Sequence, residues 1–287
     1  VNHSKRRLNA GKRQPVVPYK SFGSLPPIIS PPPASGWPDA TNTGVPPGTV
    51  LNSPISSFAA TSDNQVITNL DVTGQILVNG FNGVTIKNCR AGEMTIAGAN
   101  CTVQDCTVIG LGTGNDGITV ASPLELGAGS AGPPAANGAS ILRCNISGAE
   151  NLLWLETSNS LVKDNWFHDP VGGGAAHIDG IQVPQDAPQK SGNTIRHNNF
   201  DMNLGTVSSC CQFDCVTNFI IDNNKFHGGS FELYLLSRNG GTTSGCQVTN
   251  NTFVLATLGG IVDEQTATGL NTYTGNVDEF GNPLSLP

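Results

Sequence analysis

A six-residue pattern, aliphatic-x-x-(Cys/Asn)-x-apolar, recurs along this chain and restricts it to a stack of similar coils. Copies begin at Ile86, Val103, Ile141, Val162, Ile195, Ile221 and Val248, after a degenerate copy at Ile67. Successive starts lie 19, 17, 38, 21, 33, 26 and 27 residues apart, in or near the roughly 20–50 residue range of solenoid repeats. The fourth position is Cys in three consecutive full copies (Cys89, Cys106, Cys144) and Asn in the next four (Asn165, Asn198, Asn224, Asn251). A column of one residue type is expected to form a ladder, with inward Asn side chains bonding the coils above and below and Cys packing as a small hydrophobe. Each copy is too short to bury an apolar face alone, so stacking at about 4.8 Å must supply the core. Helical repeats are disfavoured because the segments are rich in Val, Ile, Thr and Asn, and 35 Gly and 19 Pro punctuate them.

Charged residues make up only 12% of the chain, about half the usual share, so Asn, Thr, Ser and Gly must build much of the surface. No run approaches the roughly 18 apolar residues of a membrane span, and no membrane partner is expected. Of the eight cysteines, three share the ladder, Cys210, Cys211 and Cys215 form a second cluster, and Cys101 and Cys246 stand alone. Cys-x-x-Cys pairs with His at zinc spacing are missing, so neither a metal nor a cofactor is expected. The thiols read as reduced and structural, which favours folding in a reducing cytoplasm.

Residues 1–36 form a basic, then Pro-rich, extended arm. Lys5, Arg6, Arg7, Lys12, Arg13 and Lys20 precede the first acid, Asp39, leaving −13 on the rest of a chain whose net charge is −7. Little aromatic interleaving argues against sequence-specific nucleic-acid reading. The arm also lacks the roughly 7–15 residue apolar stretch of a signal peptide. Residues 37–50 read as a turn-rich junction whose Trp37 caps the first coil, 51–276 as the coils, and 277–287 as a tail.

A second strand set lies between the copies: DGITV, NLLWLE, DGIQV, CCQFDC, FELYLL and GGIVDE, aligned on Ile118, Leu153, Ile181, Cys211, Leu233 and Ile261. The excursions at 109–139 and 168–192 flank this set, and loops on one edge of a solenoid commonly build its binding face.

With its Asn and Cys ladders and the strings NNTF, NNKF, NWF and HIDGIQV, the chain resembles the right-handed parallel β-helix proteins of the pectin-lyase-like superfamily over roughly residues 50–275. The junction GWPDATNTGVPPGT is similar to one in actinobacterial and bacteriophage β-helix proteins. The resemblance implies an all-β, single-stranded right-handed parallel β-helix. Fold alone does not choose among lyases, hydrolases, tailspikes and inert surface proteins.

The best catalytic candidates are Asp116 and Asp179, at equivalent positions of the second strand set, with His177 two residues from Asp179. The coil of Asn151 separates them, which predicts Cα atoms about 9.6 Å apart, near the outer limit of the roughly 6.5–9.5 Å carboxyl separation of an inverting glycosidase. Trp154, Glu156, Gln182 and Tyr234 are the candidate glycan contacts. Against chemistry, Asp-Gly is a common turn-to-strand entry. The Asp-Asp pair, Gly-His-Gly and Arg-x-Lys of polygalacturonase-like sites are missing, and the coils offer few cations for a lyase base. Two classes therefore stand. One is a structural or receptor-binding virion protein, attached to other virion subunits through residues 1–36, with host cell-surface polysaccharide as a further partner and a homo-oligomer compatible with the pattern. The other is a polysaccharide lyase or glycoside hydrolase, secreted or at the cell surface. The arm, the thiols and the incomplete catalytic pattern favour the first.

Overall fold

The computed structural model describes residues 36–121, 137–172, 177–185, 189–203, 207–238, 240–254, 259–265 and 270–286; most of the basic arm therefore lies outside the described residues. Every pairing between strands is parallel. A nine-stranded sheet collects the first strand of each coil, beginning with Val66–Thr68, Thr85–Lys87 and Thr102–Gln104 and ending with Thr272–Thr274. A sixteen-stranded sheet collects the remaining strands. In the first two coils Asp71–Asn79 and Arg90–Ala97 run as single long strands. From the third coil onward that path divides, because Arg90–Ala97 pairs with both Thr107–Val108 and Gly112–Val120. The molecule is a single-stranded right-handed parallel β-helix, the hand that parallel crossovers take.

The hexad explains the winding. Its first residue faces in as a column from Ile67 to Val248, and its sixth as Ala91, Val108, Ile146, Phe167, Phe200, Phe226 and Phe253, nearly all fully buried. The four phenylalanines stack with ring centroids 4.8, 5.1 and 5.1 Å apart, a spacing dictated by the strand repeat. The third residue turns the chain in the left-handed region in every copy: Asn69, Asn88, Asp105, Arg143, Asp164, His197, Asn223 and Asn250 have φ between 50° and 59°. Asn and Asp tolerate this conformation. Arg143 and His197 are held in it by neighbours, since Arg143 forks onto Asp105 (2.7 and 3.0 Å) and His197 Nδ1 lies 2.7 Å from Asp164 Oδ1.

The next corner alternates. Three residues before each hexad stand Asn64, Gly83, Asn100, Gly138, Asn159, Gly192, Asn218 and Gly245, all with positive φ. A Cβ on any of these four glycines would come within 2.4–2.7 Å of the Asn Oδ1 in the coil before it. Each Asn side chain thus fills the space that its glycine neighbour leaves.

Three expectations need correction. Cys101 and Cys246 are not isolated; they share one buried column with Val84, Ala139, Ser160, Asn193 and Phe219, each two residues before a hexad. The third strand of the eighth coil pairs Leu233 with Val262, not Ile261. Trp37 does not cap the first coil. It stacks on His197 (ring centroids 5.5 Å) in the sixth coil. The chain then descends the flank: Asn199 Nδ2 donates to Pro38 O (2.8 Å), Gly44 N to Arg143 O (2.9 Å), Val45 N to Thr107 Oγ1 (3.1 Å) and Asn52 N to Asn69 O (2.8 Å). Residues 37–52 are a strap across six coils. Trp37→Ala should lower stability by about 1–2 kcal/mol through lost burial and stacking and hasten proteolytic nicking between residues 36 and 50. An unchanged melting temperature and nicking rate would mean that the strap holds without its tryptophan.

At the other end, an additional hexad copy, Tyr273 to Asp278, carries Asn276 into the ladder. The tail folds back, with Leu284 N donating to Asn276 O (3.0 Å) and Leu284 and Leu286 packing on the core. The Asn282 side chain, and then the amides of Asn282 and Phe280, donate to Asp278 and hold its carboxyl below the ordinary range.

Candidate functional site

The face built by the third strand of each coil carries the candidate residues. Its inward row is Met94, Ile118, Leu153, Ile181, Cys211, Leu233 and Val262. The next residue of each strand faces the other way, giving the outward row Thr95, Thr119, Trp154, Gln182, Gln212, Tyr234 and Asp263. Trp154 and Tyr234 are therefore three strand spacings apart, about 14 Å, with two glutamines between them. Trp154 Nε1 donates to Glu156 Oε1 at 2.5 Å, which fixes the indole edge over its own strand. The parts of the excursions at 122–136, 173–176 and 186–188 lie outside the described residues.

Asp116 and Asp179 both pair in register with Asn151, one on each side. Each is held by hydrogen bonds of its own. Thr119 Oγ1 and Asn151 Nδ2 donate to Asp116 at 3.2 and 3.1 Å, and Ser209 Oγ donates to Asp179 Oδ1 at 2.5 Å. Asp179 is fully buried and Asn151 is 7% exposed. Asp179 Oδ2 and Asn151 Oδ1 have no hydrogen-bond partner among the described residues. His177, at the surface, bears electrostatically on Asp214, whose carboxyl also meets Arg238 Nη1 at 3.5 Å.

The electrostatics of this face are those of crowded acids. Burial pushes the Asp179 carboxyl up to about 7, Asp214 and Glu150 add to the rise, and the Ser209 hydroxyl opposes it. Burial raises Asp116 despite its bonds to Asn151 and Thr119. Burial and then Asp116 raise Glu93. Much of the body's basic charge is committed elsewhere, at the corner after the first strand: Arg90 with Asp71, Arg143 with Asp105, Lys163 with Asp164 and Arg196 with Asp222. Sequence reasoning missed Glu232, which is fully buried beneath the face. Burial pushes it up to about 9, only partly offset by the amides of Val254 and Gly228, which favours the neutral form of the acid. Its signal was an acid at an i+1 position occupied by Gly, Leu, Gly and Cys in earlier coils.

The ladder residues lie in one column. Leu70 N donates to Cys89 Sγ and Cys89 N to Cys106 Sγ, both at 3.5 Å, and Cys144 N donates to Asn165 Oδ1 at 2.8 Å. From there each Asn Oδ1 accepts from the backbone and the side chain of the preceding ladder Asn, through Asn198, Asn224 and Asn251 to Asn276. All eight cysteines are free and buried. Among the described residues no group of three or more His, Cys, Asp or Glu could hold a metal ion, and no helix is long and apolar enough to cross a membrane.

No family model matches the chain, and no curated protein matches it. Among solved structures it is similar to the crystal structure of the Dettilon tailspike protein, with 13% sequence identity and a TM-score of 0.26. The match covers 77% of this chain and spans 61% of the tailspike chain.

Proposed function

We propose that this chain is a structural or receptor-binding virion tail protein, attached to other virion subunits through residues 1–36 and presenting its β-helix outward. The observation that carries this reading is the state of the two candidate carboxylates. A general acid or nucleophile must reach substrate, but Asp179 is sealed from solvent and held by Ser209, while Asp116 is tied to Asn151 and Thr119. Bare strand geometry puts their Cα atoms at the far edge of an inverting pair. What the face offers to solvent is the row of Trp154, Gln182 and Tyr234, each partly exposed, a set suited to stacking on and hydrogen bonding with sugar rings. Its ligand in this proposal is a host cell-surface polysaccharide that is held without being cut.

A lyase or hydrolase remains the competing reading because a carboxyl poised near 7 is what general acid catalysis requires. Incubation with bacterial cell-envelope polysaccharides, followed by assay of new reducing ends and unsaturated uronates, separates the two. The proposal expects no release above background and retention of glycan that falls at least tenfold in Trp154→Ala with Tyr234→Ala. Turnover that disappears in Asp179→Asn would establish the enzyme instead.

A further inference from the structure

Asn151 and Asp179 pair in register on neighbouring strands, and each carries one buried, unpartnered oxygen acceptor. Unsatisfied buried acceptors are costly, and here two occur on neighbouring residues of adjacent strands. The other atoms of these groups are already committed: Asn151 Nδ2 donates to Asp116 Oδ1 and Ser209 Oγ to Asp179 Oδ1. The titratable groups that bear on Asp179 from the packed strands are Glu150 on one side and Cys210, Cys211, Asp214 and Tyr234 on the other, while the neighbouring basic groups Arg238 and His177 act on Asp214. None of the groups that bear on Asp179 is a cation. A single proton resolves every conflict at once.

We propose that Asp179 is a neutral carboxylic acid whose Oδ2 hydroxyl donates to Asn151 Oδ1, completing a four-strand side-chain ladder that locks the centre of the outward face and opens when this proton is lost. The ladder then runs Thr119 to Asp116, Asn151 to Asp116, Asp179 to Asn151 and Ser209 to Asp179, and both formerly unpartnered oxygens are used. Loss of the proton leaves both acceptors unpartnered again and adds a negative charge beside Asp214 and Glu150. The strands it would loosen carry Trp154 and Gln182, so the lock regulates the surface proposed above to hold glycan. It rests on the hydrogen bonding, and its test needs no glycan.

The sign follows from linkage. The folded protein keeps the proton to about pH 7, whereas an ordinary aspartate releases it near 3.8. The folded state therefore binds more protons across that window, and its stability falls as pH rises through it. Asparagine is the permanent form of the neutral acid, since its amide can accept from Ser209 and donate to Asn151. Thermal unfolding of the full chain from pH 4 to 9 should show wild type and Asp179→Asn nearly equal at pH 4, with the variant melting progressively higher from there to about pH 7 and the gap constant above it. Infrared difference spectra between pH 5 and pH 8 should show a protonated carboxyl component that Asp179→Asn lacks, the Glu232 contribution being common to both proteins. Ser209→Ala removes the bond that favours ionised Asp179, so its transition should move to higher pH. Identical pH profiles for wild type and Asp179→Asn would overturn the proposal. So would an Asp179→Asn protein unfolded at pH 4, or calcium ions stabilising wild type at pH 8 but not the variant, which would mean that the paired oxygens take a cation instead of a proton.

Discussion

Replacing Asn198 with Leu should cost on the order of 4 kcal/mol, close to the whole stability of a small domain. The side chain sits at zero exposure in the middle of the ladder, and its four hydrogen-bonding sites are all filled. Its Oδ1 accepts from Asn165 N and Nδ2, and its Nδ2 donates to Val162 O and Asn224 Oδ1, all at 2.9–3.0 Å. Leucine keeps the volume but strips these partners while leaving them buried, and each unsatisfied group costs about 1–3 kcal/mol. Cys106→Ala, in the same column, removes weaker sulfur contacts of 3.2–3.7 Å and should cost only about 1–2 kcal/mol. Denaturant unfolding of both variants is the check. Equal losses would show that the amides contribute volume and little else.

Gly148→Ala is the second large effect, on the order of 3–5 kcal/mol when steric overlap and backbone strain are combined. Gly148 has φ +74° and would place a Cβ 2.0 Å from Ile109 O, while Gly110 directly beneath it would place one 2.2 Å from Gly148 O. The two coils meet backbone to backbone at this corner, so accommodation requires moving a strand. Gly112 is the control, because it also has positive φ (+91°) but open space around its missing side chain; Gly112→Ala should cost only about 1 kcal/mol. A comparable loss in both would assign the effect to dihedral strain alone.

The coils were legible because positions one, four and six of the hexad keep fixed offsets whatever the intervening loop length. The strict offset is physical: those three side chains turn inward around a single left-handed residue. That residue itself was hidden, since Arg143 and His197 interrupt a run of Asn and Asp. The Asn–Gly alternation was hidden for a different reason, its period being two coils of unequal length. The slip from Val262 to Ile261 reflects the two-residue period of a strand, in which one step exchanges the faces and GIVDEQ offers an aliphatic to each. At the candidate site, the positions of Asp116 and Asp179 could be aligned from sequence. Their burial and their common partner Asn151 depend on register and overlying chain, which no local pattern encodes. Trp37 was misplaced because its partner, His197, is 160 positions away in the chain.

That distance also sets the order of assembly. The strap is synthesised before the surface on which it lies, and the bond between Pro38 and Asn199 joins residues 161 positions apart. Coils can add one upon another as they emerge, since each needs only its predecessor, but Trp37 and Pro38 must wait until the sixth coil exists. The first-made segment is thus among the last to settle. A chain halted before Asn199 would carry a stack of early coils with its Trp37 end unattached, and completing that attachment reports that two thirds of the β-helix has already been built.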